Sequence, residues 1–324
     1  MDIEALHARR EDRRRAVRRR RLAVGLLALA VAVLAALVIL LVGSHGTTQS
    51  SGRDASSARV AAVVSRHHTA STASSTSAST GTGRPGSEPV PILMYHVIAA
   101  PPAGAPFPGL YVSPAEFAAQ MQALKNAGWH AVTLDQVASY WKSGASLGAG
   151  RPIVLTFDNG YQSQYTQALP VLQRLGWVAD ENIQLTGLPP SQGGLGQQEI
   201  RGLIAAGWEL DTQGISHADL ITLDAAQLHE QVATARSTLQ QRYRVPVNWF
   251  CYPSGHYDPT VVSAVQAAGY EGSTTVVPGW AHPSDDRYRL HRLRVLGGTS
   301  AQALLALVAA VREDPPAPSS YNGT

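Results

Sequence analysis

The chain has 324 residues, 44% of them hydrophobic, a formal net charge of +3 and a single cysteine, Cys251. One large domain or two ordinary ones fit that length, and one cysteine excludes an intrachain disulfide, so a fold in an oxidising exterior has to rest on its core. The positive charge is local: residues 1–21 carry nine Arg against four acidic residues, whereas 89–324 carry 13 basic and 17 acidic ones, which removes the basic face that a nucleic-acid-binding domain needs.

Behind the basic tail (1–21), residues 22–42 form an unbroken apolar-or-Gly run of 21 residues, long enough to cross a bilayer as one helix. Arg13–Arg15 and Arg18–Arg21 precede it and no comparable cluster follows. By the positive-inside rule the N-terminus stays cytoplasmic and the rest is exported. A cleaved signal peptide would have an apolar region of about 7–15 residues and a small-x-small site, which Val42-Gly43-Ser44-His45 does not match. The run therefore reads as a membrane anchor. Residues 43–88 are rich in Ser, Thr, Ala and Gly without one aromatic, too little to fold on, and read as a flexible linker of roughly 35–40 Å root-mean-square span. His67-His68 belongs to that linker and not to a metal site.

From residue 89 to 312 the pattern is that of a folded domain, followed by a flexible tail, 313–324. Val90–His96 is a short apolar strand. Ser113-Pro114-Ala115-Glu116 opens a helix that Gly128 closes, with Phe117, Met121 and Leu124 on one face. Strands are predicted at 131–134, 152–157, 182–185, 208–211, 247–252 and 293–296. Helices are predicted at 135–142, 164–175, 197–206, 225–243, 259–268 and 301–312. Such alternation is the signature of an α/β fold with a parallel sheet, open or closed into a barrel. Chemistry in such barrels collects at the C-terminal ends of the strands. Those ends hold Tyr95-His96, Asp158-Asn159, Asp211 to His217, and Tyr252 to His256, a convergence of polar groups behind nearly apolar strands. Tyr95, His96, Tyr252, Ser254 and His256 are the candidate substrate contacts there, with Tyr257 and Trp280 as further aromatics near the strand ends, Trp280 equally a core candidate.

The ordered motifs resemble the polysaccharide deacetylase family (carbohydrate esterase family 4). Pro91-Ile92-Leu93-Met94-Tyr95-His96 is similar to its P-x-L-x-Y-H strand, and Thr156-Phe157-Asp158-Asn159-Gly160 to its T-F-D-D-G motif. Ser216-His217-Ala218-Asp219-Leu220 resembles the end of its H-[ST]-x-x-H motif, and Phe250-Cys251-Tyr252-Pro253-Ser254-Gly255 its F-x-Y-P-x-G motif. Leu290–Val295 resembles a later strand that carries Arg. The resemblance, which covers nearly all of 89–312, implies a distorted parallel (β/α) barrel, which follows the one transmembrane helix read at 22–42. It also implies metal-dependent removal of acetyl groups from N-acetylated amino-sugar polymers of the cell wall or exopolysaccharide. A divalent metal such as Zn²⁺ would polarise the acetamide and activate a water, a catalytic Asp would take its proton, and a backbone N–H near the third motif would support the oxyanion.

Position by position, the resemblance makes Asp158 the base, Arg292 the residue that steadies it, and His217, Asn159 and Gln213 the metal positions. Asn159 stands in place of an Asp and Gln213 in place of a His; neither brings the negative charge or imidazole nitrogen that holds Zn²⁺. The nearby carboxylate is Asp211, on the same face as Gln213 and about 7 Å away in an extended segment. Two functions stay open: a membrane-anchored extracytoplasmic deacetylase with an altered metal site, or a pseudo-deacetylase that binds wall glycan without hydrolysing it. The residues name neither the polymer nor an oligomeric state.

Overall fold

The computed structural model describes residues 83–188, 193–310 and 315–323, all within the compact unit Ser79–Thr324. The apolar run 22–42, the basic tail and nearly all of the linker lie outside the described residues. Among the described residues no helix is long and apolar enough to cross a membrane.

Eight strands form one sheet: β1 (Ile92–Tyr95), β2 (Trp129–Val132), β3 (Arg151–Asn159), β4 (Asp180–Ile183), β5 (Glu209–Thr212), β6 (Trp249–Cys251), β7 (Gly272–Thr274) and β8 (Leu293–Arg294). Every pairing is parallel, in the order β7-β6-β5-β4-β3-β1-β8, with β2 beside the first half of β3. The two ends of this curled arc approach each other through one irregular segment. Leu290, just before β8, donates its N–H to Ser273 O (3.0 Å) and accepts from Thr275 N–H (2.9 Å) at the edge of β7, while β8 itself lies on β1. The result is the predicted parallel half-barrel, drawn together by a short bridge and not by a continuous ladder.

Strand alternation gives the sheet two apolar faces. Leu93, Tyr95, Leu155 and Phe157 pack outward with Phe117, Met121 and Leu124 of α1 (Pro114–Asn126) and Leu304 and Val308 of α8 (Ala301–Ala310). Ile92, Val132, Val154, Trp249 and Leu290 gather on the other face, inside the curl. Between the strands run α2 (Leu134–Ser143), α3 (Leu169–Leu175), α4 (Gln197–Ala205), α5 (Ala225–His229), α6 (Ala235–Tyr243) and α7 (Pro259–Ala267). Capping boxes begin α1 (Ser113 with Glu116), α2 (Thr133 with Gln136) and α5 (Asp224 with Gln227), each cap contributing about 1 kcal/mol.

Three differences from the sequence reading have physical causes. β4 starts at Asp180 and not at 182 because Asp180, Glu181 and Asn182 are buried strand residues, which hydropathy assigns to a loop. β7 is Gly272-Ser273-Thr274, with no apolar run to mark it. The expected helix 225–243 is interrupted by a wider turn at Glu230–Thr234. From that turn Gln231 Oε1 accepts the N–H groups of Ile215 and Ser216 (both 3.0 Å), and its Nε2 donates to Ser216 Oγ (3.0 Å). Wider turns inside helices are frequent at functional sites, and this one braces the loop before His217.

Candidate active site

Asp158 is the next-to-last residue of β3 and is almost fully buried. Arg292, wholly buried beneath it, donates from Nη1 to Oδ1 at 2.8 Å and from Nη2 to Oδ2 at 2.9 Å, a bidentate pair. Asn182 Nδ2 adds a third donor to Oδ1 at 2.8 Å. The other guanidinium contacts go to Thr275 O (2.7 Å), Thr156 Oγ1 (3.0 Å) and Cys251 Sγ (3.3 Å), so Arg292 is fixed by four partners. Burial alone would raise the Asp158 pKa, but the charge of Arg292, helped by His96 and these hydrogen bonds, brings it down to about 2. Cys251 packs against the pair, and burial pushes its thiol up to about 12. It is a small, fully buried core residue and no nucleophile.

Around this anionic floor stand neutral groups. His96 Nε2 lies 3.9 Å from Asp158 Oδ2, and burial lowers its pKa to about 4 despite that carboxylate. His217 sits in the loop after β5 with a left-handed backbone (φ 54°); burial moves its pKa below the ordinary imidazole value. Asn159 also has a left-handed backbone (φ 79°), a conformation that Asn adopts more readily than most residues. Its Nδ2 donates to Gln184 Oε1 at 3.0 Å, and Gln184 Nε2 in turn donates to Thr186 O. Gln213 is 3% exposed, and its Oε1 is buried with no hydrogen-bond partner.

These residues share one cleft of about 530 Å³. His96, Asp158, Asn159, Gln213, His217, Tyr252 and Ser254 line it, and Arg292 underlies it. Two predicted contacts fall elsewhere. The Tyr95 ring stacks on Phe157 in the core and its hydroxyl donates to Gln120 Oε1 at 2.9 Å, because an even step along β1 turns it outward. His256 points its Nδ1 at Asp219 (3.1 Å) and is not part of the cleft lining. Tyr257 and Trp280 are core residues whose polar atoms are bonded to Pro318 O and Val308 O. Unforeseen members of the lining include Tyr161, Gln184, Arg294 and, at the lip, Phe107, which is 68% exposed. Gln184 follows β4 and could have been flagged as a strand end; Phe107 has no sequence signal.

The three positions do not fit Zn²⁺. Tetrahedral zinc takes imidazole, thiolate or carboxylate donors; His217 is one such donor, and Asn159 and Gln213 are neutral amides. The carboxylate at hand, Asp158, is already engaged by Arg292 and Asn182. Asp211 does not supply the missing charge. Its Oδ1 accepts the N–H groups of Trp249 (2.8 Å) and Asn248 (3.2 Å), and its carboxylate gathers with Asp180 and Glu209, their oxygens within 4.8 Å of one another. It is absent from the cleft lining. Burial raises the pKa of all three of these acids, Glu209 to about 7, so protons neutralise part of the group.

Residues 148–273 match the family model described as polysaccharide deacetylase. YxkH of Bacillus subtilis (strain 168), which bears that family's name, is 28% identical over 224 residues, 69% of this chain and 77% of that protein. BC0361, a polysaccharide deacetylase from Bacillus cereus, superposes with a TM-score of 0.60 at 26% identity, over 68% of this chain and 69% of that one. The Streptococcus pyogenes deacetylase PplD, solved with acetate, shares the fold with a TM-score of 0.63 at 24% identity, over 68% of this chain and 98% of that one. The ordered motifs, the half-barrel and the buried Asp158–Arg292 pair agree with this match of residues 148–273 to the polysaccharide deacetylase family.

Proposed function

We propose that the domain engages an N-acetylated amino-sugar polysaccharide in the cleft over Asp158, and does so outside the membrane to which the apolar run 22–42 anchors it. The observation that carries this reading is the cleft itself: Asp158, held by Arg292, lies at its floor, and His96, Asn159, Gln213 and His217 line it beside apolar residues and Arg294. Neutral amides and imidazoles suit the hydroxyl and acetamido groups of a sugar, while Phe107 and Tyr111 at the entrance offer apolar faces to its ring. Glycan recognition without zinc is the function that this donor set supports best.

Hydrolysis of the acetamide is the second reading, favoured by the family match and by a base and an imidazole, Asp158 and His217, facing the same cleft. Without a metal, an Asp158 whose pKa lies near 2 is a weak proton acceptor. The test incubates the full-length chain with insoluble peptidoglycan and with N-acetylglucosamine oligomers, measuring retention and released acetate. Retention without acetate release is expected. Stoichiometric acetate release at neutral pH would establish the deacetylase instead, and absence of retention would remove the recognition reading.

A further inference from the structure

The acids Asp180, Glu209 and Asp211 stand at the end of the sheet opposite the cleft. Asp180 and Glu209 open β4 and β5 in register, and Asp211 is two residues further on. Strand alternation therefore turns all three to one face, the inner one from which Asn182 reaches Asp158. Each spends one oxygen on backbone N–H groups. Asp180 Oδ1 accepts from Leu134 (2.9 Å), Glu209 Oε2 from Asp135 (3.1 Å), and Asp211 Oδ1 from Trp249 (2.8 Å) and Asn248 (3.2 Å). That leaves Asp180 Oδ2 and Asp211 Oδ2 buried without a hydrogen-bond donor, in residues that are 0% and 1% exposed. The charges nearest the group are its own and that of Asp135, whose two oxygens are already taken by Asn248 Nδ2 (2.7 Å) and Trp249 Nε1 (2.9 Å). Among the described residues no Lys, Arg or His forms an ion pair with any of the four.

Carboxylate oxygens buried without donors are costly until a cation joins them. One oxygen of each of the three acids lies within 4.8 Å of one from each of the others, and the donor set is all oxygen, which suits a hard ion rather than zinc. Beside it lies a cavity of about 210 Å³ lined by Glu209, Asp211, Asp135 and Asn248, with room for several waters at about 30 Å³ each. Mg²⁺ keeps several waters in its octahedron and takes the remaining ligands from carboxylates at about 2.1 Å. We propose that Asp180, Glu209 and Asp211 form a structural site for Mg²⁺, or for Mn²⁺ as its like-sized substitute, with cavity water completing the coordination. A bound ion ties β4 to β5 at their N-terminal ends. It also fixes the start of α2, whose first two N–H groups already bond to two of the ligands. None of the three acids lines the cleft, so the site is separate from His217, Asn159 and Gln213.

The experiment strips the full-length chain with chelator and titrates it with Mn²⁺, reading the free ion by electron paramagnetic resonance, with Mg²⁺ as competitor. About one Mn²⁺ per chain is expected to bind and to be displaced by excess Mg²⁺. With Mg²⁺ about a hundredfold above its Kd, the melting temperature should rise by about 5–10 °C over that in chelator. Asp180→Asn and Asp211→Asn keep the acceptor for the backbone N–H groups and each remove one charge. Both should bind Mn²⁺ at least about tenfold more weakly and lose most of the shift. They should also fold in chelator at least as stably as wild type, since each replaces an unpaired buried charge by a neutral amide. His217→Ala, in the cleft, should leave stoichiometry and shift unchanged. A wild type that binds no Mn²⁺ and melts at the same temperature in Mg²⁺ as in chelator would overturn the site and leave protons alone to neutralise the acids. Binding that survives both Asn substitutions, or that is lost in His217→Ala, would place the ion elsewhere and overturn it too.

Discussion

Replacing Arg292 by Met removes the one guanidinium that neutralises Asp158 while keeping most of the side-chain volume. Arg292 is fully buried and Asp158 is 1% exposed, so the surviving carboxylate cannot recover its charge partner from solvent. A fall of the Asp158 pKa from its ordinary value to about 2 corresponds to roughly 2–3 kcal/mol of coupling to its surroundings. Deleting one member of a buried pair typically costs about 3–5 kcal/mol, because an uncompensated charge is left behind. Urea unfolding followed by circular dichroism at neutral pH should therefore show a loss of about 3 kcal/mol or more for Arg292→Met. The sign of its pH dependence is fixed. In the wild type the depressed pKa gives stability that is present above the unfolded value and lost as pH falls through about 2. In the variant burial raises the pKa, so the carboxylate destabilises as pH rises past its ordinary value. The penalty must shrink on acidification, and the double variant Asp158→Leu, Arg292→Met should recover much of the loss. A single variant that loses less than about 1 kcal/mol, or a penalty that grows at low pH, would refute the reasoning.

Other outcomes follow from separate parts of the chain. Burial raises the pKa values of Asp180, Asp211 and Glu209, the last to about 7, so between the ordinary carboxylate range and pH 7 the folded state holds more protons than the unfolded one. Stability should then fall as pH rises from about 5 to 7, and Asp211→Asn should flatten that slope; urea midpoints rising over this interval would contradict it. Phe107→Ala at the exposed lip of the cleft should leave the melting temperature nearly unchanged yet weaken glycan binding by about 1 kcal/mol, checked by titration. Deleting residues 1–42 should move the protein from the membrane pellet to the soluble fraction, read by ultracentrifugation and immunoblot.

Much of this architecture is legible in the residues because it is written in apolar periodicity and caps. The run before Asp158, the Ser113–Glu116 capping box and the alternation of strand and helix all report on burial, and burial is what hydropathy measures. Legibility fails where polar residues are buried. Asp180, Glu181 and Asn182 form a strand that reads as a loop, and β7 has only Gly, Ser and Thr to show. In the site, strand-end position and motif resemblance together pick out residues that line one cleft: His96, Asp158, Asn159, Gln213, His217, Tyr252 and Ser254. Position does not give direction, however. Tyr95 is one residue from His96 and faces the opposite side of the sheet, and His256 lies beyond the turn that carries Ser254 and bonds to Asp219. Asp211 shares a strand face with Gln213, yet its carboxylate is taken by backbone N–H groups and two other acids, partners that only the tertiary fold supplies.

Metal content of the full-length chain, measured by mass spectrometry after purification with and without chelator, tests the central claim most directly when paired with the double variant Asn159→Asp, Gln213→His. Wild type is expected to hold well under one zinc per chain and to release no acetate, while the variant, with a carboxylate and a second imidazole restored beside His217, should approach one zinc per chain. A wild-type chain that keeps one divalent metal through chelation and deacetylates N-acetylglucosamine oligomers would contradict the account.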